Sequence, residues 1–265
     1  MFALAVSMNV DMVRTIIVFL SLHLFLYPAS NGYNSYFDKD EKSIGGLKHP
    51  PLVSPQLYRW SLIFDGIALA LGLFISWQFA LMLAVYGLVS KAYSHPSIRL
   101  KKYPFMSWII AGFFQGAFTF WMTYMGINDM AWEIMPAQWQ PALLTSAILW
   151  GSYPMTQIYQ HEEDAKRGDI TLSYKLGIKG TFLFTLVVFS FASGLFWIYF
   201  FQNYSEELGW YFLLAMLPIV LFFNSWFLKV LKDESKADFD HTMKLNFLSA
   251  LMLNAFFIYL NFQLH

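Results

Sequence analysis

The sequence predicts an all-α fold: a polytopic transmembrane helix bundle of about eight spans, forming one domain over residues 1–265. Three observations predict it. Hydrophobic residues make up 57% of the chain and charged residues only 13%, against about 25% charged in soluble domains. Continuous apolar runs of about 20 residues, each enough to cross a hydrocarbon core of about 30 Å, recur along the whole length, without the alternation of a β-barrel. Finally, all of the 17 Lys and Arg residues except Arg14 fall in alternate connections and their flanks, so those connections are expected to face the cytoplasm.

The spans are expected at 10–31, 57–75, 77–93, 105–125, 138–160, 179–201, 208–229 and 244–262. The connections on the other side carry acids instead, Asp129, Glu133, Glu206 and Glu207, and both termini are expected there. Residues 1–9, MFALAVSMN, are apolar but too short to span, and read as the end of a segment that begins further upstream. No cleavable signal peptide is evident. Cysteine is absent, which excludes disulfides and thiolate chemistry. The six histidines have no ligand spacing, which argues against zinc. Nothing in the pattern points to nucleic acid.

The first span runs into NSYFDKDEKSIGGLKHPP. Asn34, Asp38 and Lys42 are four apart and share a helical face, and Glu41, seven after Asn34, joins it. Asp40 points elsewhere unless the helix has already unwound. Gly45, Gly46, Pro50 and Pro51 stop the helix. The face offers an amide and two carboxylates, hard oxygen donors that suit Mg²⁺. The plain alternative is a solvated helix end whose acids and lysines neutralise one another.

Asp65 lies about two turns inside the second span, as a cavity residue or as the partner of a neighbouring helix. The connection after the third span, KAYSHPSIRLKKYP, carries Lys91, Arg99, Lys101 and Lys102. Arg99 and Lys101 are read as able to grip a diphosphate, Lys91 and Lys102 as markers of topology. In the fourth span Gly112 and Gly116 permit close helix packing, and Gln115, Asn224, Asn246 and Asn254 are expected to hydrogen-bond between helices.

The fifth span ends in YPMTQIYQHEEDAKRGDITLSYKLG. Gln157, Gln160 and Asp164 share a face with Glu163 beside them, so a second helix end repeats amides followed by carboxylates on the same side. Two facing clusters of this kind can hold the ions that a diphosphate needs. Gly168 ends the helix, and Asp169 is expected to cap the short segment that follows, which otherwise reads as a loop helix on the membrane surface. Aromatic residues form 20% of the chain. Tyr36, Phe37 and Tyr159 adjoin the acids, where aromatic faces can stabilise a developing cation.

These stretches resemble the motifs of the UbiA intramembrane prenyltransferases. NSYFDKDE resembles N-D-x-x-D-x-x-x-D, YSHPSIRLKKYP resembles Y-S-x-x-x-x-L-K, and QHEEDAKRGDITLSYKLG resembles D-x-E-x-D-x-x-x-G-x-x-T-L-x-x-x-L-G. The resemblance implies a nine-helix bundle around a central cavity that is open sideways to lipid, here without its first helix. It also implies Mg²⁺, an isoprenyl diphosphate, a lipid-soluble and possibly aromatic acceptor, and an allylic cation between them. Asn34, Asp38 and Asp164 match motif positions as catalytic residues, and Glu162 matches the middle acid of the second motif. Ser35, Lys42 and Gln160 depart from the expected aspartates, with Glu41 beside Lys42 as a stand-in. The resulting expectation is that Asp38, Glu41, Glu162 and Asp164 hold metal with Gln160, while Asn34, Lys42, Arg99 and Lys101 hold the diphosphate. Two alternatives remain, a terpene cyclase of the same fold and a non-catalytic family member.

Overall fold

The computed structural model describes residues 1–8 and 10–265. Its eight long helices are α1 (Met12–Asp38), α2 (Pro55–Ile75), α3 (Trp77–Ser94), α4 (Pro104–Asn128), α5 (Trp139–Ser152), α6 (Leu172–Asn203), α7 (Glu206–Lys232) and α8 (Phe239–Leu264). All but α3 and α5 are long and apolar enough to cross a membrane by length and composition. The outward faces are greasy, Phe74 and Phe262 each being 78% exposed. Water would penalise such surfaces and lipid does not.

Two apolar cores lie side by side. One joins α1, α2 and α3 around Leu22, Leu26, Phe79 and Leu83, with Met122 of α4. The other joins α4 to α8 around Phe182, Phe196, Phe212 and Trp226. The short helix Phe2–Ala5 inserts into the second, where Phe2 stacks on Phe257 at 5.4 Å or less from its nearest rings. At the end of the bundle far from the acids, Arg14 pairs with Asp129 and donates to the carbonyls of Ile75 and Gly126, both at 3.4 Å.

Several local features set the shape of the site. α1 contains a π-helical stretch at Leu20–Leu26, and α4 another at Phe114–Phe118. Gly112 and Gly116 do pack tightly, against Trp150 and Ser146 of α5: a Cβ on Gly116 would lie 2.6 Å from the Ser146 backbone. Gly116→Val is therefore expected to destabilise the bundle by about 1–3 kcal/mol, read as a lower thermal midpoint in detergent. Pro154 ends α5, because it has no N–H for the Trp150 carbonyl. That carbonyl instead accepts from the Trp108 indole at 2.8 Å. The chain then turns through a 3₁₀ stretch, Tyr153–Gln157, and a short helix, His161–Arg167.

Gly168 takes a left-handed conformation that side chains disfavour (φ +73°), and Gly177 breaks α6 near its start (φ +70°). The cap of α6 is Thr171, whose hydroxyl accepts from the Tyr174 N–H, and not Asp169 as expected. Asp169 is drawn away by two arginines, as described next.

Candidate active site

A cavity of about 740 Å³ opens where the ends of α1, α2, α3 and α8 meet the 153–171 segment. Its acidic wall begins at α1. This helix continues to Asp38, beyond the expected limit, and ends because Lys39 adopts a left-handed conformation (φ +51°) as its cap. The unwinding turns Asp40 back into the cavity lining beside Asp38. This is the exception that the sequence allowed: Asp40 points elsewhere only on an unbroken helix, and the helix stops two residues before it.

The basic side comes from the α3–α4 connection. Arg99 is also left-handed (φ +48°), and the 3₁₀ turn Leu100–Lys102 follows it. The resulting bend aims Arg99 and Lys101 at the same acids. Lys101 is buried and pairs with Asp38, and its Nζ also donates to Asn34 Oδ1 at 3.2 Å. Asn34 Oδ1 accepts a second bond from Ser94 Oγ at 2.7 Å, which fixes the amide. Arg99 grips Asp169 with two parallel bonds of 2.7 and 2.8 Å and reaches Asp38 at 3.5 Å. Such a fork restrains both planes.

The second acidic stretch closes the ring. Arg167 donates to Asp164 at 2.8 Å, pairs with Asp40, and lies 3.4 Å from Asp169. Thr171 Oγ1 donates to the other oxygen of Asp164 at 3.4 Å. One guanidinium thus bridges 38–40 to 164–169, and Arg99 makes a second bridge between the same stretches. Residues 38 and 164, far apart in sequence, share one cavity wall. In the sequence Arg167 is one basic residue of this connection among several, and its spacing gives no sign that it crosses to Asp40.

The remaining expected site residues are placed as follows. Gln160 lines the cavity and donates to the Ser43 carbonyl at 3.4 Å. Arg99 stands behind the wall as a brace rather than in the lining. Glu41 is exposed and outside the lining, because the chain has left the helical path that would have aimed it inward. Lys42 and Glu162 pair with each other at 2.5 Å on the surface, 56% and 62% exposed. Exposed pairs of this kind are weakly coupled, so Lys42→Ala and Glu162→Ala are each expected to leave activity within about twofold, checked by initial rates. Tyr159 lines the cavity, whereas Tyr36 and Phe37 stack around Tyr58. Asp65 is an interhelical partner, paired with Lys91, which also lies over the Tyr33 ring. Among the described residues Gln115, Asn224 and Asn246 bridge no helices; they line a second cavity, and Asn224 donates to Val220 of its own helix.

The carboxylates are perturbed by burial. Asp164 is pushed up to about 6 by desolvation and by Asp169, against the pull of Arg167. Asp40 is raised for the same first reason, opposed by Arg167. Arg167 stays protonated: burial disfavours its charge, but Asp40, Asp38 and Asp164 outweigh it. A carboxyl that holds its proton more tightly folded than unfolded favours the fold below its unfolded value, 3.8 here. That contribution is lost as pH rises through about 6. Metal-free protein is therefore expected to gain thermal stability on acidification through this window, and Asp164→Asn to lose part of that dependence, as followed by melting curves against pH.

Among the described residues no three His, Asp or Glu side chains already converge as a metal cluster. The donor set nonetheless fits hard divalent cations. The lining holds four carboxylates, Asp38, Asp40, Asp164 and Asp169, against two cations, Lys101 and Arg167. Oxygen donors in excess over bases suit Mg²⁺, which takes one or two carboxylates and leaves other positions to water or phosphate.

Fold and site together define a helical integral membrane protein with a charged cavity let into one end of its bundle. The chain belongs to the UbiA prenyltransferase family, whose model matches residues 1–248. Its fold is similar to that of a UbiA homologue from Archaeoglobus fulgidus bound to DMAPP and Mg²⁺, with TM-score 0.65, 18% identity, and 99% of this chain and 91% of that one covered. The same homologue bound to GPP and Mg²⁺ aligns with TM-score 0.64 at 19% identity, covering 99% and 94%. A digeranylgeranylglyceryl phosphate synthase structure aligns with TM-score 0.61 at 19% identity, covering 98% and 90%. No curated protein matches the chain in sequence.

Proposed function

We propose that the protein transfers an isoprenyl group from an isoprenyl diphosphate to a lipid-soluble acceptor, with Mg²⁺ as cofactor and the cavity on the cytoplasmic side. The observation that carries this reading is the convergence of 38–40 and 164–169 on one cavity through Arg167 and Arg99. The sidedness rests on the Lys and Arg distribution, and membrane lipids surround the bundle.

The charge balance explains the need for the ion. Four carboxylates against two cations leave the lining with two excess negative charges, which repel a diphosphate. Bound Mg²⁺ would neutralise that excess and draw charge from the leaving group. Asp38, Asp40 and Asp164 would hold it, with Asn34 and Gln160 as neutral donors. Lys101 and Arg167 would contact the diphosphate oxygens directly, with Arg99 orienting Asp38 and Asp169 behind them.

In the transfer, the allylic C–O bond breaks and its electron pair leaves with the diphosphate. The allylic carbon then takes an electron pair from the acceptor, which loses a proton. The aromatic ring of Tyr159 and the hydrogen-bonded pair Tyr93–Tyr153, 2.6 Å between hydroxyls, face the region where that positive charge develops.

The test is to supply purified protein in lipid nanodiscs with geranyl or geranylgeranyl diphosphate and to measure pyrophosphate release with Mg²⁺ and with EDTA. Magnesium-dependent release with a prenylated product from an added acceptor is the expected result. Release of a cyclic hydrocarbon without acceptor would replace transfer by cyclisation, and no release would remove the enzyme reading.

A further inference from the structure

A second cavity of about 320 Å³ lies deeper in the bundle, between α4, α5, α6, α7 and α8. It adjoins the first, since Tyr153, Thr156 and Asn246 line both. Its chemistry differs sharply. Of 19 lining residues none is charged, yet nine are polar. Polar side chains are expensive in the interior of a bilayer and usually find a partner on a neighbouring helix. Here several do not. Asn224 returns its N–H to its own helix, which leaves the amide oxygen open. Gln115 and Asn246 make no hydrogen bond among the described residues.

Hydrogen-bonding groups set into an otherwise apolar wall of Ile148, Leu186, Phe189 and Phe223 are the mark of a pocket that orients a ligand rather than one that stores hydrocarbon. A prenyl tail has nothing to offer amides and hydroxyls. The first cavity, by contrast, carries an apolar stretch suited to such a tail in Ile44, Leu47, Leu52, Val53 and Leu57.

The absence of any cation from the deep lining limits the ligand further. A carboxylate or phosphate there would be an uncompensated charge. The two cations of the outer cavity, Lys101 and Arg167, are taken by the diphosphate in the reading above.

Resting on the prenyl-transfer reading, we propose that the deep cavity is the acceptor site and that it takes a neutral, hydroxyl- or carbonyl-bearing molecule, excluding carboxylated acceptors. Gln115, Asn224 and Asn246 supply the hydrogen-bonding groups for its polar end, and the neck at Tyr153 admits its reactive atom to the diphosphate end.

The test uses two hydroquinones that differ in one substituent, methyl against carboxylate: methylhydroquinone and 2,5-dihydroxybenzoate. Equilibrium binding to the full chain in nanodiscs is measured for both, alongside magnesium-dependent pyrophosphate release from geranylgeranyl diphosphate. Methylhydroquinone is expected to bind at least about a hundredfold more tightly, given the penalty on a buried unpaired charge. Gln115→Leu and Asn224→Leu are each expected to raise the KM for the neutral ring about three- to tenfold and not the KM for the diphosphate. Equal or tighter binding of the acid, or binding of neither ring, overturns the proposal, as does a variant effect confined to the diphosphate KM, which would make the cavity a tail site. In each of those cases persistent pyrophosphate release leaves the prenyl-transfer reading standing, and its absence removes that reading instead.

Discussion

Asp38→Asn is expected to lower magnesium-dependent pyrophosphate release by about 100- to 1000-fold, the scale on which removal of one preorganised electrostatic group acts. Asp38 is the last helical residue of α1 and is held by Lys101 and, at 3.5 Å, by Arg99. Asparagine keeps its shape and its capacity to accept from Lys101, so the wall should survive while the charge does not. Asp164→Asn should have an effect of similar size. If both carboxylates serve the same ions, the double variant will lose little more than either single one, since groups that act as a unit are strongly non-additive. Initial rates across a magnesium titration measure this. Full activity in either single variant would sink the assignment.

Arg167→Met is expected to destabilise the protein by about 3–5 kcal/mol, because it strips a buried network of its shared counter-charge. The guanidinium serves Asp40, Asp164 and Asp169 at once, and the side chains of Asp40 and Asp169 are 7% and 1% exposed. Without it, three buried carboxylates face one another with only Arg99 and Lys101 nearby. Adding Asp40→Asn to Arg167→Met should recover part of the loss, since the pair is in direct contact and its effects will not add. Thermal unfolding in detergent, with and without Mg²⁺, checks both. A divalent ion that replaces the missing positive charge should raise the midpoint of Arg167→Met more than that of the parent.

Much of the architecture was legible because membranes impose strong rules. Apolar runs of spanning length and the near-exclusive confinement of Lys and Arg to alternate loops locate the helices and bring the 34–42, 91–102 and 157–169 stretches to one end. Asn34 and Asp38 could be read as one face because the α1 helix persists through them. What escaped depends on single backbone conformations. Lys39 and Arg99 are left-handed without being glycine or asparagine, so no turn chemistry announces either bend. The first bend brings in Asp40 and releases Glu41, and the second sets Arg99 behind the wall. Asp169 looked like a helix cap because caps are commonly aspartates, but an arginine fork two loops away claims it. The amides of the deep cavity were misread for a different reason. Sequence records that they are polar within a span, and only packing decides whether they meet a helix or a space.

The π-helical stretch in α1 has a consequence for how this helix can serve two environments. One line of buried residues runs through it at every fourth position, Val18, Leu22, Leu26 and Ser30, with Ser21 and Ala29 beside it. An uninterrupted α-helix would drift off that line by about 40° at each such step. The wide turn therefore acts as a phase adjuster. It lets the first half of the helix turn Met12, Val13, Ile16 and Phe19 toward the surface of the bundle, while the second half aims Asn34 and Asp38 at the cavity. Shortening residues 20–26 by one would leave a perfectly good span whose polar end had swung by about 100° around the axis: inserted, folded and chemically blind.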